Sequence, residues 1–301
     1  MVNLCNVDGV ITAEADARIP LMDRGFLFGD SIYEVVRATA GVPFAWARHF
    51  DRLRTSALGM RLALDLDDAA LARRIAATLA ASGIADAYVR VIVTRGVGSA
   101  PSIDLACATG RPCWIVMVRP APGAPGQTTR LAIVERLRND RRALDPAVKS
   151  GNYLNSVLGL AEAKQLGATD CLMVNAAGWL TEASTSNLFA LIDGVWCTPR
   201  LDDGILAGVT RALLLEFLPR CGERVAERHL AVADLQRADE VFLSSTLRDI
   251  GPVTHIDGRA LHGGETGPRC RHLMAAFAAH RAALLAEVDE PGWRKLLAAG
   301  T

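Results

Sequence analysis

The lysine at position 149 lies in a stretch that could support covalent chemistry, "DPAVKSGNYLN" from 145 to 155. It precedes a Ser-Gly-Asn turn, and helical spacing follows at once, so Asn152 is expected to cap a helix that ends at Gly167. The positive end of that helix, together with burial, would lower the pKa of the Lys149 amine. Such an amine can form a Schiff base with a carbonyl, although solvated loop lysines are the commoner case.

A carboxylate that could act with this amine is Glu182, in "WLTEASTSNLFALIDG". It follows a predicted strand and precedes a run of small hydroxyl residues. A carboxylate among small polar groups is a suitable partner for a protonated ring nitrogen. An ordinary turn glutamate in a Ser/Thr-rich loop is the alternative, because these residues favour turns.

Three other segments could bind a phosphate. Val209 and Thr210 open an amphipathic helix in "DDGILAGVTRALLLEFL", Arg52 in "RHFDRLRTSA" could bind bidentately, and Thr246 ends the strand in "EVFLSST". A plain capped helix, a solvated helix face and a hydroxyl-rich turn are the alternatives. No lysine follows the glycine as in a P-loop, so a nucleoside triphosphate is not indicated. The amine, the acid and the phosphate groups together suit a phosphorylated aldehyde cofactor with a ring nitrogen.

The elements that must position these residues fall into two mixed regions. Alternating residues in "SIYEVVRATAGVPFAW" predict a strand and a hairpin, and helical spacing predicts helices over "ARHFDRLRTSALGM" and "DLDDAALARRIAATLAASG". "RPAPGAPGQTTR" is rich in glycine and proline and marks a connection. The chain of 301 residues is therefore expected to be α+β, with a small domain over 1–118, a linker over 119–127 and a large domain over 128–301.

Composition narrows the class of function. Lysine plus arginine and aspartate plus glutamate number 33 each, so no charge excess points to nucleic acid or an anionic membrane. Seven scattered cysteines without a C-x-x-C pattern predict reduced thiols in the cytoplasm, with neither disulfides nor a metal site. The N-terminus does not read as a signal peptide, and no apolar run reaches transmembrane length. The tail "EVDEPGWRKLLAAGT" is expected to be frayed.

The sequence resembles the class IV, or fold-type IV, pyridoxal-phosphate aminotransferases. The resemblance covers nearly the whole chain and rests on motifs in the family's order: "DRGFLFGDSIYEVVR", "HFDRLRTSA", "AYVRVIVTRG", "KSGNYLNSVLGLAEAKQLGATD", "TEASTSNLF", "GILAGVTR", "ADEVFLSST" and "GPVTHIDGRALHGGETGP". It implies a two-domain fold like that of D-amino-acid aminotransferase, pyridoxal 5'-phosphate between the domains, and a homodimer.

The resemblance also implies roles for single residues. Lys149 would form the Schiff base and carry the proton, Glu182 would bind the pyridine nitrogen and Tyr153 the ring hydroxyl. The phosphate would be bound by Arg52, Val209, Thr210 and Thr246, and Leu206 would pack beneath the ring. The substrate would be bound by Tyr33, Val35, Arg37, Tyr88, Arg90 and Leu247.

The amino donor is less defined within this resemblance. Tyr88, Arg90 and Arg37 look like the pocket of the branched-chain group, which predicts transamination between a hydrophobic L-amino acid and 2-oxoglutarate. "GVGSAPSIDLACATG" lacks the arginine and histidine that the D-amino-acid group carries after "TRG". Val35 stands where the branched-chain pattern has glycine, which leans toward the D-amino-acid and amine groups. A D-amino-acid or R-selective amine transaminase and an aminodeoxychorismate lyase remain the alternatives.

Overall fold

The structure is a computed structural model that describes residues 2–123 and 126–299. Contacts within the chain divide it into two compact units: residues 1–122 with 148–152 and 282–301, and residues 123–147 with 153–281. Each unit combines a largely antiparallel sheet with helices, so the predicted α+β class is confirmed. The domain limits predicted at 118 and 128 stay a prediction.

The first unit is built on one sheet flanked by helices. In its described part the strands are β1 (Leu4–Val7), β2 (Val10–Ala13), β3 (Ser31–Thr39), β4 (Val42–Pro43), β5 (Asp86–Thr94) and β6 (Cys113–Pro120). They form an antiparallel sheet in the order β2-β1-β6-β5-β3-β4. The helices in the first part of this unit are α1 (Arg24–Phe28), α2 (Trp46–Gly59) and α3 (Asp68–Ser82).

The two faces of this sheet differ in chemistry because side chains alternate along a strand. Ile32, Val36 and Ala38 of β3 pack with α2 and α3 in the hydrophobic core. The predicted hairpin is confirmed: Ala40 and Gly41 join β3 to β4 with φ values of 50° and 79°, the positive pair that a tight hairpin turn needs. The opposite face of β3 is therefore left for Tyr33, Val35 and Arg37.

The second unit contains a closed ring of strands. Its described strands are β7 (Thr129–Ile133), β8 (Asp170–Val174), β9 (Leu180–Ala183), β10 (Asn187–Ile192), β11 (Val195–Thr198), β12 (Arg224–Glu227), β13 (Glu240–Ser245), β14 (Asp249–Ile256) and β15 (Arg259–Ala260). The order is β12-β11-β10-β13-β14-β7-β8-β9, with β15 on β14. One further pairing, between Glu182 and Asn187, joins β9 to β10 and closes six strands into a ring.

Helices surround this ring: α4 (Leu154–Gln165), α5 (Val209–Phe217), α6 (Val232–Gln236) and α7 (Pro268–Leu284). The core between strands and helices includes fully buried Leu172, Leu188 and Leu243. Phe189 and Phe242 lie on the opposite face of β10 and β13 from Leu188 and Leu243, and their rings stack with centroids 4.8 Å apart, so both faces of these two strands are packed.

The predicted start of α4 is wrong. Tyr153, not Asn152, is the residue before the first turn, and its side chain makes no capping hydrogen bond. The Asn152 amide instead donates to the backbone oxygen of Gly29 at 2.9 Å, a partner far away in sequence. Gly167 has a φ of 76°, so the predicted left-handed residue after the helix is confirmed.

The tail is also different from the expected frayed segment. It forms a helix, α8 (Glu290–Ala299), in which Trp293 is fully buried. The Trp293 ring meets Trp46 edge-to-face at a centroid distance of 5.8 Å, and Leu296 and Leu297 pack on the same core. Burial of these apolar side chains stabilises the helix, which the polar residues around them did not predict.

The seven cysteines are free thiols, and Cys5, Cys113, Cys171, Cys197 and Cys270 are buried. Burial, helped by the neighbouring Asp170 carboxylate, raises the pKa of the Cys171 thiol to about 12. The buried thiols are therefore packing groups and not nucleophiles. In the described residues no helix is long and apolar enough to cross a membrane.

Candidate active site

Lys149 lies beside the beginning of β3. Its backbone oxygen accepts a hydrogen bond from Tyr33 N at 3.0 Å, and its backbone N–H donates to Ser56 Oγ at 3.1 Å. The Lys149 Nζ is 3.3 Å from the Tyr33 hydroxyl and 4.4 Å from the centre of the Tyr33 ring. The half-buried amine is thus positioned by both its backbone and an aromatic ring.

The five substrate residues predicted in the first unit share one face of the sheet. In the β3–β5 register Val35 pairs with Arg90 and Arg37 with Tyr88, and directly paired residues point the same way. The Arg90 guanidinium lies 4.1 Å from the centre of the Tyr33 ring, and its Nη1 is 3.5 Å from the Tyr88 hydroxyl. Arg90 and Lys149 therefore both contact Tyr33.

Arg52 lies on α2 against the other face of β3, where it pairs with Glu34. Its Nε and Nη2 donate to the two carboxylate oxygens at 2.7 and 2.8 Å, and His49 Nδ1 is 2.7 Å from Glu34 Oε2. Glu34 and His49 are each 1% exposed, so this is a buried network. The bidentate pair fixes the plane of the Arg52 guanidinium.

The same network sets the protonation of its members. Burial would raise the pKa of Glu34, but the charge and hydrogen bonds of Arg52, with the His49 hydrogen bond, outweigh burial and hold it well below its usual range. Burial lowers the pKa of His49, and this effect is larger than the increase caused by the hydrogen bond and charge of Glu34. The network is therefore a carboxylate, a guanidinium and a neutral imidazole whose Nδ1–H donates to Glu34.

We expect this network to make the protein less stable in acid in two steps. Unfolded His49 binds a proton below about pH 6.5 and folded His49 does not, so stability falls as pH drops from there, by up to about 1.4 kcal/mol per pH unit. Below about pH 4.5, the usual Glu34 value, the unfolded Glu34 also takes up a proton that the folded one refuses.

Urea unfolding at pH 7.5 and 5.5 tests the first step. His49→Asn, whose amide can still donate to Glu34, should lose less free energy of unfolding between the two pH values than the wild type. His272→Asn, an exposed histidine on α7, is the matched control and should follow the wild type. Equal losses in wild type and His49→Asn would contradict the assignment.

Glu182 lies in the second unit at the pairing that closes the ring. Arg138 donates to its Oε1 from Nη2 at 2.7 Å and from Nε at 3.2 Å, while Asn187 Nδ2 and Leu206 N donate to Oε2 at 3.1 and 3.0 Å. The carboxylate is therefore bound on both oxygens and 5% exposed. Such a carboxylate is held in one orientation.

The start of α5 is the predicted phosphate-binding helix end. Gly208 precedes it and no side chain caps it, while Val209 and Thr210 are buried in its first turn. Asn187 Oδ1 lies so close to Gly208 that a Cβ there would collide with it. The backbone N–H groups at this end of a nine-residue helix suit an anion.

Thr246 and Leu247 lie in the turn between β13 and β14, both half-buried. The next residue, Arg248, donates to Asp170 Oδ2 at 3.0 Å. Asp170 Oδ1 accepts from both the backbone and the hydroxyl of Ser184, which follows Glu182 by two residues. One buried carboxylate therefore fixes the turn and the loop after Glu182 together. Tyr153 is half-buried at the start of α4.

Three members of these networks were missed by sequence reasoning. Arg138 stands in "ERLRNDRR", where several arginines look alike, and nothing local singles it out. Asp170 ends the motif "QLGATD", but its partners Ser184 and Arg248 come from a loop and a turn further along the chain. Of these three, Glu34 was the one that the sequence could have identified, because an acid on the core-facing side of a strand requires a buried partner.

The family model of class IV amino-transferases matches residues 31–256 of this chain. The chain belongs to the class IV aminotransferases. Among curated relatives, a putative branched-chain-amino-acid aminotransferase of Methanocaldococcus jannaschii is 35% identical over 274 residues, which cover 90% of this chain and 94% of the relative. A D-alanine aminotransferase of Listeria monocytogenes is 33% identical over 276 residues, covering 90% and 93%.

Solved structures show the same fold for this class IV aminotransferase. The branched-chain aminotransferase of Thermoproteus uzoniensis with norvaline has a TM-score of 0.84 at 27% identity, covering 92% of this chain and 94% of that one. The T.th. branched-chain amino acid aminotransferase complexed with N-(5'-phosphopyridoxyl)-L-glutamate has a TM-score of 0.86 at 25% identity, covering 93% and 94%. The predicted fold-type IV architecture is thereby confirmed.

As a class IV aminotransferase the protein uses pyridoxal 5'-phosphate, and two features of the second unit fit that cofactor. The uncapped start of α5 and its Gly208 leave an anion-binding helix end for a phosphate. Ser244 Oγ is buried without a hydrogen-bond partner in the described part of the chain, and Ser244 pairs directly with Asn187. A buried hydroxyl of this kind is normally satisfied, which a polar ligand would do.

Proposed function

We propose that the protein transfers the amino group of a hydrophobic, branched-chain-like L-amino acid to 2-oxoglutarate. The observation that carries this proposal is the contact of Arg90 with the Tyr33 ring, on the same face as Val35. Val35 and the ring offer an apolar surface to a donor side chain. Arg90 offers a guanidinium for the second carboxylate of 2-oxoglutarate.

The relatives support the same substrate class. The Methanocaldococcus jannaschii protein is named as a branched-chain enzyme, and the Thermoproteus uzoniensis structure contains norvaline, an unbranched hydrophobic amino acid. The T.th. enzyme is complexed with a phosphopyridoxyl derivative of L-glutamate. A hydrophobic donor and an acidic partner of L configuration are thus represented among enzymes similar to this chain.

In this proposal Lys149 is the catalytic amine. The bound cofactor supplies an aldehyde carbon for the substrate amine and a pyridinium ring that withdraws electrons from the substrate Cα–H bond. The Lys149 Nζ would take the Cα proton of the bound donor and later release it, acting as base and then as acid. Tyr33, 3.3 Å from Nζ through its hydroxyl, orients the amine for both steps.

Glu182 holds the proton on the pyridine nitrogen in this proposal. Arg138 donates to one of its oxygens, and Asn187 and Leu206 donate to the other, which fixes its direction. A carboxylate that stays charged stabilises the pyridinium form, on which electron withdrawal depends. Tyr153 is assigned to the ring hydroxyl and the Leu206 side chain to the lower face of the ring.

The phosphate is assigned to the start of α5 and to two side chains from elsewhere. The full set is Arg52, Val209, Thr210 and Thr246, with Leu247 placed next to the substrate. Each of these is positioned by a bonded neighbour or a helix end described above: Glu34 orients Arg52, and Arg248 anchors the turn of Thr246. We also propose that the protein works as a homodimer in the cytoplasm, where its seven free thiols stay reduced.

The D-alanine aminotransferase of Listeria monocytogenes, at 33% identity, makes a D-amino acid the second candidate donor. Val35, which stands where the branched-chain pattern has glycine, also favours a D-amino-acid donor. The loop after β5 carries no arginine–histidine pair to hold the carboxylate of a D-amino acid in the way that the D-amino-acid group does. This absence in the sequence keeps the L-amino acid as the first candidate.

A donor panel tests the proposal. The purified enzyme, loaded with pyridoxal phosphate, is mixed with single donors in the absence of acceptor: L-leucine, L-valine, L-glutamate, D-alanine, D-glutamate and an R-amine. We expect the absorbance of the aminated cofactor to appear fastest with L-leucine or L-valine, and 2-oxoglutarate to reverse it. A faster reaction with D-alanine or the R-amine would contradict the proposal, as would pyruvate release from aminodeoxychorismate without the aminated cofactor.

A further inference from the structure

Three arginines project from the face of the first sheet that carries Tyr33 and Val35. Register places Arg37 beside Tyr88 and Tyr88 beside Arg119, while Arg90 lies beside Val35. Arg119 is paired with Glu14, and Arg37 is paired with Asp86. Arg90 contacts aromatic rings, and no carboxylate within the described residues forms an ion pair with it. Two of the three positive charges on this face are therefore compensated.

The Arg37–Asp86 pair is asymmetric in its surroundings. Asp86 accepts from Arg37 Nε at 2.9 Å and from Nη2 at 2.7 Å, a bidentate pair. The Arg37 side chain is 8% exposed and the Asp86 side chain is 51% exposed. Arg37 Nη1 is buried and has no hydrogen-bond partner in the described part of the chain. The guanidinium is thus the buried member of the pair, and Asp86 supplies its counter-charge.

This asymmetry makes Asp86 control how much positive charge the face presents. With Asp86 in place, a ligand meets one uncompensated guanidinium, that of Arg90, beside an apolar surface. Without it, Arg37 would carry an uncompensated charge in a poorly hydrated position, and the nearest available anion would be a ligand carboxylate. Arg37 Nη1 has no acceptor within the described residues, so the guanidinium retains hydrogen-bonding capacity for such a carboxylate.

We propose that Asp86 is a specificity-determining residue: by neutralising Arg37 it favours donors with uncharged side chains over dicarboxylic amino acids. The proposal rests on the proposed function, which assigns this face to the substrate. Arg90 alone then serves the second carboxylate of the acceptor. Asp86 acts through Arg37 and does not touch the reacting atoms.

Steady-state kinetics of the holoenzyme test this proposal with Asp86→Asn. We expect the ratio of kcat/KM for L-glutamate to that for L-leucine to rise by roughly 3- to 10-fold, the range for a pair with one half-exposed partner. Asp86→Glu retains the charge and should keep the wild-type ratio. In Asp86→Asn with Arg37→Gln the ratio should return toward that of the wild type, because the effect requires the freed guanidinium.

Glu14→Gln is the matched control, since it breaks the neighbouring pair on the same face, whose Arg119 is half-exposed and screened by water. It should leave the ratio unchanged. An unchanged ratio in Asp86→Asn, or an equal change in Glu14→Gln, would overturn the proposal. Thermal unfolding of each variant verifies that the comparison is made on folded protein.

Glutarate binding to the holoenzyme, measured by calorimetry, separates this proposal from the proposed function. We expect Asp86→Asn to bind glutarate roughly 3- to 10-fold more tightly than the wild type, with little change for 4-methylvalerate. Equal glutarate affinity overturns the role of Asp86 even if the wild type reacts with none of the L-amino acids. A wild type that fails with all L-donors overturns the proposed function while the glutarate result still decides the role of Asp86.

Discussion

Lys149→Ala is expected to lower kcat for transamination by about three orders of magnitude or more. The substitution removes the amine that is proposed both to bond to the cofactor aldehyde and to move the Cα proton. Its backbone bonds to Tyr33 and Ser56 do not need the side chain, so the fold of the first unit should be retained. The loss should therefore appear in kcat and not in the amount of folded protein.

Two measurements check this expectation. Borohydride should attach the cofactor covalently to a wild-type peptide that contains Lys149 and should attach nothing in Lys149→Ala, as followed by mass spectrometry. Stopped-flow spectra with L-leucine should show the aminated cofactor in the wild type alone. Lys164→Ala, an exposed lysine in the last turn of α4, is the control and should behave as the wild type. Turnover in Lys149→Ala within tenfold of the wild type would exclude Lys149 as the catalytic amine.

Glu182→Gln is expected to have the second-largest effect, on both activity and stability. Glutamine has one acceptor oxygen in place of two, and whichever oxygen its amide group replaces, that group would face two of the four hydrogen bonds that the carboxylate now accepts. Arg138, 13% exposed, would lose its counter-charge. Breaking a buried pair in this way costs about 3–5 kcal/mol, which corresponds to a fall of about 10 °C in Tm.

The activity of Glu182→Gln should fall by about 10²-fold or more, because a neutral amide stabilises the pyridinium form less than a carboxylate does. The double variant Glu182→Gln with Arg138→Met separates the two effects. It should regain much of the lost Tm, since no unpaired charge remains buried, and should regain little kcat. Glu265→Gln, at an exposed glutamate, is the matched control. A double variant that recovered activity together with Tm would show that Glu182 acts through stability alone.

Local patterns in the sequence were sufficient for several elements. The helix predicted over "DLDDAALARRIAATLAASG" is α3: the Asp67 side chain caps it by accepting from Ala70 N, and Gly83 ends it with a φ of 63°. Alternation along "SIYEVVR" placed Tyr33, Val35 and Arg37 on one face, as the register of β3 and β5 shows. These predictions succeeded because the signals lie within one helical turn or one strand.

Features that depend on contacts between residues distant in sequence could not be predicted from local patterns. Asn152 is of a residue type that commonly caps helices, but its side-chain amide instead donates to the backbone oxygen of Gly29. The tail orders because Trp46, almost 250 residues earlier, provides a surface for Trp293. Arg138 and Asp86 are ordinary charged residues until folding brings each beside a buried group of opposite charge. Pairing of this kind is set by register and topology, which a single sequence does not display.

The closed ring of the second unit has one narrow join, the pairing of Glu182 with Asn187. A ring of strands opens first where fewest hydrogen bonds cross a seam. That seam includes Glu182, the residue proposed to hold the proton on the pyridine nitrogen, so local opening of the ring and the proposed chemistry involve the same residue. Cofactor that binds there would suppress opening of the seam, and loss of cofactor would make this seam the place where unfolding and proteolysis of the second unit begin.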